Sequence, residues 1–463
     1  MRRTVVLLSL ALVTLTAAAV AALVRPRPAG PVQHDPVQHD PVTPPAPPPV
    51  AITSAGPLQL TAQLARRWLD PRGSSQYLEI DVTATGTPTA GAKTAVNAVL
   101  VIDRSGSMAG AKIERARDAA RSLIAALDGE DRLAIIDFAS DATVLLPSTA
   151  MAPGEKERAL GLVARLTATS GTNLSAAIDL AAPQLRAGRA QGRVDKVFLA
   201  SDGQANEGVY EHGALLRLSA ARLEGATVST FGIGEDYDED LMTALALQGG
   251  GRTRFIERAD DLTPAIRAEL TRSAQAVARD VRLDIQGDSG ARVERVLGLR
   301  PEADGSVRLP DFAAGETRRV LVKLRLPAGS GEKQLARVTV RCQDVRGESY
   351  RAEAFSIGTY TVDNRLLHTE ANEAALWGAR AEMADVAQRA VRAQEKGDDR
   401  EAASLVADLD ALAKDAAIAR PSAAAPAQGY ADGWRGMLNA SSGGGQVARK
   451  KAKQEAYDVA AGF

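Results

Sequence analysis

Between residues 95 and 275, apolar segments of two kinds alternate along the chain. The segment from Ala95 to Ile102 is apolar at nearly every position, as in strands buried on both faces of a sheet. The segment from Lys112 to Leu127 instead places its apolar residues on one helical stripe. Similar pairs follow, with strands predicted at 95–102, 132–138, 142–146, 194–200, 227–232 and 252–256, and helices at 112–127, 155–166, 173–186, 211–224, 238–247 and 261–276. This order predicts an α/β domain over residues 93–275, with a doubly wound, mostly parallel sheet.

On both sides of this domain the apolar residues recur at every second position. Leu78, Ile80 and Val82 alternate in this way before it, and the same period returns after residue 276. Period two is typical of strands that are half buried. We therefore expect residues 57–92 and 276–361 to fold together as a β-sandwich, with the α/β domain inserted between the two halves.

The last hundred residues are predicted to be helical in part. Apolar residues at helical spacing predict a helical hairpin over residues 362–419. Residues 420–463 are predicted to be a low-complexity tail, the end of which could form a short helix. Four basic residues in that tail are expected to be solvated rather than to form a membrane or nucleic-acid patch: Arg449, Lys450, Lys451 and Lys453.

The N-terminal residues predict export. Arg2 and Arg3 precede an uncharged, mostly apolar run from Thr4 to Val24, and about 20 such residues span a bilayer as a helix. Residues 1–24 are therefore either a cleaved signal peptide or a retained membrane anchor. Residues 25–56 are rich in proline and predict an extended linker. We expect the remainder of the chain to be periplasmic or on the cell surface, with membrane contact only through the N-terminal segment if it is uncleaved.

Composition excludes several kinds of site. The net charge is −1 and aromatic residues make up 4% of the chain, so no nucleic-acid-binding surface is indicated. Cys342 is the only cysteine, which excludes an intrachain disulfide and a cysteine-based zinc or iron–sulfur site. Any metal would therefore have mainly oxygen ligands.

Hydroxyl and carboxyl groups follow the predicted strands. Asp103, Ser105 and Ser107 come after the strand at 95–102, Thr172 comes just before a helix, and Asp202 follows the strand at 194–200. Because parallel strands end at one edge of the sheet, these three loops are expected to meet there. Such oxygen ligands suit Mg²⁺, Mn²⁺ or Ca²⁺, and the small number of acids leaves room for an incoming carboxylate.

These residues resemble the metal-ion-dependent adhesion site of the von Willebrand factor type A domain. In that family D-x-S-x-S is followed by a loop threonine and then by an aspartate after a later strand, and this chain has the five residues in that order: Asp103, Ser105, Ser107, Thr172 and Asp202. The resemblance implies that they hold a divalent cation, with Mg²⁺ expected ahead of Mn²⁺ or Ca²⁺, and that an acidic residue of a protein partner completes its shell. It implies an adhesion or scaffolding module with no catalytic residues.

Other interpretations stay open. The serines and the threonine could cap helices, and the aspartates could serve turns. The acidic stretch Glu235 to Asp240 is predicted to be a solvated helix start. At the level of function, the alternatives are a structural subunit of an envelope complex that needs no metal, and a hydrolase that uses the cation to activate water. For the hydrolase the sequence offers no evident base.

Overall fold

The computed structural model describes residues 52–86, 94–234, 237–256, 259–302, 304–443 and 446–460. The predicted export segment 1–24 lies outside these ranges, as does the predicted linker up to residue 51. None of the helices within them combines the length and apolar character that a membrane crossing requires.

The described residues form strands and α-helices that are numbered here in chain order. The strands are β1 (Thr53–Ala55), β2 (Leu58–Leu64), β3 (Trp68–Leu69), β4 (Ser75–Ala84), β5 (Ala95–Asp103), β6 (Arg132–Phe138), β7 (Ala142–Ala150), β8 (Arg193–Ser201), β9 (Thr227–Ile233), β10 (Gly250–Ile256), β11 (Ala276–Gly287), β12 (Arg292–Val296), β13 (Val307–Leu309), β14 (Phe312–Ala313), β15 (Thr317–Arg325), β16 (Gly331–Asp344) and β17 (Ser349–Tyr360). The helices are α1 (Ala111–Ala126), α2 (Pro153–Ala164), α3 (Leu174–Gly188), α4 (His212–Arg222), α5 (Glu239–Gln248), α6 (Ala259–Ala274), α7 (Asn364–Leu367), α8 (Ala374–Glu395), α9 (Asp399–Ala419), α10 (Ala424–Gly443) and α11 (Gln446–Ala460).

The central α/β domain contains a six-stranded sheet in the order β10-β9-β8-β5-β6-β7. All neighbouring pairs are parallel except β6 and β7. Successive residues of β5 contribute to two different cores: Leu100 and Ile102 pack under α1, α2 and α6, whereas Val99 and Val101 pack under α3, α4 and α5. Burial on both faces explains the nearly continuous apolar run, and the predicted doubly wound α/β fold is confirmed.

The β-sandwich consists of two sheets, and each contains strands from before and after the α/β domain in sequence. One has the order β1-β2-β4-β15-β12, and the other contains β13-β11-β16-β17-β3. Ile80 of β4 lies opposite Val320 of β15, so strands from before and after the α/β domain pair directly. Both sheets contribute side chains to one apolar core, for example Ile80, Val320 and Val340. The α/β domain is therefore inserted into the sandwich, as its sequence pattern predicts.

The two ends of the inserted domain lie side by side. The Thr94 backbone N–H donates to the Ala274 carbonyl oxygen at 2.9 Å, and the Thr94 hydroxyl donates to the Ala276 carbonyl oxygen at 3.4 Å. The chain thus enters the domain next to the point where it leaves, which lets the sandwich close without interruption.

The C-terminal part corrects one prediction. Residues 420–445, expected to be part of a low-complexity tail, include helix α10, which packs with α8, α9 and α11 around a shared apolar core. The buried apolar side chains of α10 are Ala427, Ala431, Trp434 and Leu438. Their spacing of four, three and four residues is a helical stripe. The surrounding glycine, serine and proline residues hide that stripe from an assessment based on composition.

The basic residues near the end of the chain correct a second prediction. Lys450 is only 3% exposed, and together with Lys453 it forms ion pairs with Glu239 of α5. The predicted solvation is therefore wrong for these two lysines and for Glu239. Charged groups are buried at an interface when an opposite charge accompanies them. Helix α11 thus packs onto the α/β domain.

Candidate metal centre

Asp103 is the last residue of β5 and is completely buried. Its Oδ1 accepts a hydrogen bond from the Ser105 backbone N–H at 2.8 Å, and its Oδ2 accepts one from the Ser201 hydroxyl at 2.5 Å. Burial raises the pKa of Asp103 to about 6, although the hydrogen bonds from Ser105 and Ser201 oppose that rise. The carboxylate is therefore costly to keep ionised unless a positive charge comes to it.

The two serines of the D-x-S-x-S motif lie on one turn. Their hydroxyl groups form a hydrogen bond of 3.0 Å, so the oxygens of Ser105 and Ser107 lie next to each other. Residues Gly106–Met108 form a 3-10 turn that places the Met108 side chain in the apolar core beneath. This anchor fixes the loop at the carboxyl end of β5.

Arg104 joins the motif to the loop that carries Thr172. The Arg104 carbonyl oxygen accepts a hydrogen bond from the Thr169 backbone N–H, and its guanidinium donates to the Thr169 hydroxyl, both at 2.7 Å. The same guanidinium forms an ion pair with Asp137 at 2.7 Å. The residue between Asp103 and Ser105 thus positions the second loop relative to the first.

The third loop, which begins at Asp202, is bound to Thr172 through the backbone. The Thr172 N–H donates to the Asn206 side chain at 2.9 Å, and its carbonyl oxygen accepts from the N–H groups of Asn206 and Glu207. Gly171 adopts a φ of +82°, and a Cβ atom there would lie 1.9 Å from the Ser140 hydroxyl oxygen. Only glycine allows the loops to approach this closely. The structure therefore brings together the loops of all five predicted ligands.

A lysine that the sequence prediction missed lies at the site. The Lys112 ammonium group is 3.2 Å from Oδ2 of the fully buried Asp202, and the lysine stem passes so close to Gly234 that a Cβ there would lie 2.4 Å from Cε. Lys112 is in the first turn of α1, a place that favours acidic rather than basic side chains. A lysine in that position was the available signal of a nearby carboxylate.

The second oxygen of Asp202 indicates what the site can accept. Within the described part of the chain, Asp202 Oδ1 is buried and has no hydrogen-bond partner. The described ranges also contain no group of three or more His, Cys, Asp or Glu residues suited to a metal, so the candidate set consists of two carboxylates and three hydroxyls. A buried carboxylate oxygen without a donor fits a hard divalent cation. The assignment of the five residues as ligands stays a prediction.

Comparison with known proteins defines the central domain. Residues 97–268 match the family model of the von Willebrand factor type A domain. This part of the chain is a von Willebrand factor type A domain. Domains of this type commonly bind divalent cations and mediate interactions between proteins.

The chain is similar in sequence to curated proteins. The chain is 29% identical over 243 residues to the uncharacterized protein YfbK of Escherichia coli, which covers 50% of this chain and 42% of that protein. It is 26% identical over 264 residues to the uncharacterized protein sll0103 of Synechocystis, which covers 54% of this chain and 62% of that protein. The matches span less than two thirds of either relative.

A solved structure shares the wider architecture. The von Willebrand factor type A protein from Catenulispora acidiphila matches 89% of this chain and 99% of its own, with a TM-score of 0.69 and 20% sequence identity. The similarity therefore extends beyond the type A domain. At this identity it establishes the fold alone.

Proposed function

We propose that the chain is a divalent-cation-dependent protein-binding module of the cell envelope. In this proposal Asp103, Ser105, Ser107, Thr172 and Asp202 hold the cation, with Mg²⁺ expected first and Mn²⁺ or Ca²⁺ as alternatives. The bound cation supplies an electrophilic position for a carboxylate. An acidic side chain of the partner protein binds there, and the surrounding loops supply the other contacts.

The unpartnered Asp202 Oδ1 carries this proposal. A buried carboxylate oxygen without a donor costs free energy, because it has lost water and gained nothing in exchange. A cation bound between Asp202 and Asp103 removes that cost. The serine hydroxyls support the same conclusion, since they add oxygen ligands without adding negative charge.

The first experiment is a calorimetric titration of the chelated chain with Mg²⁺, Mn²⁺ and Ca²⁺. We expect saturable binding of at least one cation, and loss of that binding in Asp103→Asn and Asp202→Asn variants. Gln204→Ala, a change in the loop beside Asp202, is the matched control and is expected to keep it. Unaltered binding in both aspartate variants would contradict the assignment.

The second experiment tests the partner's chemistry. Soluble peptides that differ only in Glu against Gln at one position are titrated against the cation-loaded chain. We expect only the Glu peptides to bind, and we expect a chelator to release them. Equal binding of the Gln peptides would show that the partner is recognised without a carboxylate.

A structural subunit that needs no metal is the second candidate. The Lys112–Asp202 ion pair favours it, because an internal ammonium group already neutralises one of the two carboxylates. Under this alternative no cation binds at millimolar concentration, and removal of Lys112 destabilises the fold. The calorimetric titration therefore separates the two candidates.

The envelope location is also part of the proposal. The run from Thr4 to Val24 supports export as either a signal peptide or an anchor. The location is tested in cells that express the full chain, with protease added to intact cells and to spheroplasts, whose inner membrane is still closed. A chain that stays protected from protease in the spheroplasts would be cytoplasmic and would contradict the proposed location.

A further inference from the structure

Helix α11 contacts Tyr237 and Glu239, at the start of α5, through two lysines. Lys450 donates to the Tyr237 carbonyl oxygen at 2.7 Å and forms an ion pair with Glu239, and its ammonium lies 4.2 Å from the centre of the Tyr237 ring. Lys453 donates to the other Glu239 oxygen at 2.6 Å and to Glu395 of α8 at 2.8 Å. The two lysines thus link α5 and α8 of two different domains.

Tyr237 and Glu239 flank Asp238, which forms a hydrogen bond to the backbone of the candidate metal centre. The Asp238 backbone N–H donates to the Asp202 carbonyl oxygen at 2.7 Å. The Asp238 side chain also caps α5, accepting from the Leu241 N–H at 3.0 Å. Because Lys450 and Lys453 hold the residues immediately before and after Asp238, the position of α11 bears on the backbone of Asp202.

Further polar contacts hold α11 against the edge of the type A sheet. Gln454 donates to the Thr253 carbonyl oxygen at 3.2 Å, and Arg254 forms an ion pair with Asp458 at 3.0 Å. A cleft of about 430 Å³ lies beside this joint, between α5, α8 and residues 294–301 of the sandwich. The contact of α11 with α5 and β10 is therefore formed largely by polar and charged groups. It lies beside an open space and is less completely packed than the apolar cores on either side.

We infer that helix α11 regulates the candidate metal centre: its docked lysines hold residues 237–239 in the conformation that supports Asp202 for cation binding. This inference rests on the proposed cation site. Coupling between two sites is reciprocal, so release of α11 weakens cation binding, and cation binding in turn stabilises docked α11. Sequence and charge at the end of the chain thereby set the affinity of a site in another domain.

The test measures Mn²⁺ affinity by calorimetry on the full chain in mild detergent. We expect Lys450→Met to weaken Mn²⁺ binding at least about fivefold, the lower end of typical coupling between sites. Lys451→Met, at an exposed position of the same helix, is the control and is expected to stay within about twofold of wild type by the same measure. Circular dichroism and a melting curve establish that each variant is folded.

A measurement on the unmodified chain keeps the inference testable even if Lys450→Met fails to fold. Hydrogen exchange of residues 446–460 is followed with and without Mn²⁺, in the wild type and in Asp202→Asn. We expect Mn²⁺ to slow exchange in the wild type only. Unchanged exchange, with Mn²⁺ bound, would overturn the coupling and leave the proposed function intact, as would equal affinity in a folded Lys450→Met. If Mg²⁺ or Ca²⁺ binds and Mn²⁺ does not, the same measurements are made with the cation that binds. Absence of binding of all three cations to the wild type would overturn both.

Discussion

The ammonium nitrogen of Lys112 lies 3.2 Å from Oδ2 of Asp202, at the position where a cation is proposed to bind. Its stem lies against Gly234, where a Cβ atom would be 2.4 Å from the Lys112 Cε. A fixed positive charge beside a divalent cation lowers the affinity for that cation. It also leaves the loaded site more positive, which favours binding of a partner carboxylate.

The first prediction concerns Lys112. We expect Lys112→Met to bind Mg²⁺ or Mn²⁺ more tightly, by roughly tenfold, or about 1.4 kcal/mol, because a like charge is removed. Calorimetry on the chelated chain measures this change, with Lys414→Met, an exposed lysine of α9, as the control. Weaker binding in Lys112→Met would instead identify Lys112 as a residue that positions Asp202.

The second prediction concerns Gly171. Gly171→Ala forces a side chain into a left-handed backbone conformation and against the Ser140 hydroxyl, so we expect it to lower the free energy of unfolding by about 1–3 kcal/mol. Cation affinity should fall as well, since Thr172 follows directly. Denaturant unfolding measures the first effect. Gly129→Ala, where no atom lies within 4 Å of the new Cβ, should differ little from wild type.

The third prediction concerns a buried ion pair at the opposite end of the sheet. The Lys196 ammonium lies 3.0 Å from Glu269 Oε1, and both side chains are buried. We expect Lys196→Met to destabilise the fold by about 3–5 kcal/mol, because the buried Glu269 loses its closest positive partner and keeps only Arg272, which lies 3.8 Å from its other carboxylate oxygen. Arg121→Met, which breaks the exposed Arg121–Asp118 pair, should cost less than about 1 kcal/mol in the same denaturation experiment.

The same pair predicts how stability depends on pH. Burial alone would raise the pKa of Glu269, but Lys196 and Arg272 outweigh it and hold the pKa at about 2, below the ordinary value of 4.5. The unfolded chain therefore binds this proton first, so the stabilisation is complete above about pH 4.5 and is lost as the pH falls towards 2. Denaturation at several pH values should show a shallower fall for Glu269→Gln than for wild type.

The final prediction tests helix α10. Trp434 is buried in the core of the helical bundle, and we expect Trp434→Ala to destabilise the chain by about 3–5 kcal/mol. Ile418→Ala, at a strongly exposed position of α9, should change stability by less than about 0.5 kcal/mol. If Trp434→Ala and Ile418→Ala both changed the measured stability only slightly, the helical bundle would have to unfold separately from the measured transition.

Sequence patterns predict the parts of this molecule in which local periodicity and burial agree. The runs around Val99 and Ile80 indicate their strands because one is buried on both faces and the other on one. Helix α10 was missed because its stripe consists largely of alanines among glycines and serines. Local composition there suggests a linker, and only the packing of Trp434 against the other helices supplies the missing burial.

The candidate site shows the same division. Asp103, Ser105 and Ser107 are close in sequence, so the motif itself places them together. Asp202 could be inferred from strand order, because the parallel sheet brings it to the same edge. The position of Lys112 in the first turn of α1 suggests a nearby carboxylate but does not say which one, and no local pattern indicates the partner of Lys450. The partner of each lysine lies far away in the chain: Asp202 is 90 positions from Lys112, and Tyr237 is 213 positions from Lys450. The Lys112 pairing depends on how a helix and a loop pack within the type A domain, and the Lys450 pairing depends on how two domains are placed relative to each other.

The side-by-side entry and exit of the type A domain also has a mechanical meaning. Consider a force applied between a partner bound at the candidate metal centre and the N-terminal side of the chain. This force passes from the domain to the sandwich through two adjacent backbone connections, at Thr94 and after Ala274. The load is shared between these two connections and then spreads into both halves of the β-sandwich, whose strands β4 and β15 are joined along their full length. The two covalent connections of the domain to the sandwich thus lie at one end, so its sheet is not stretched between opposite termini.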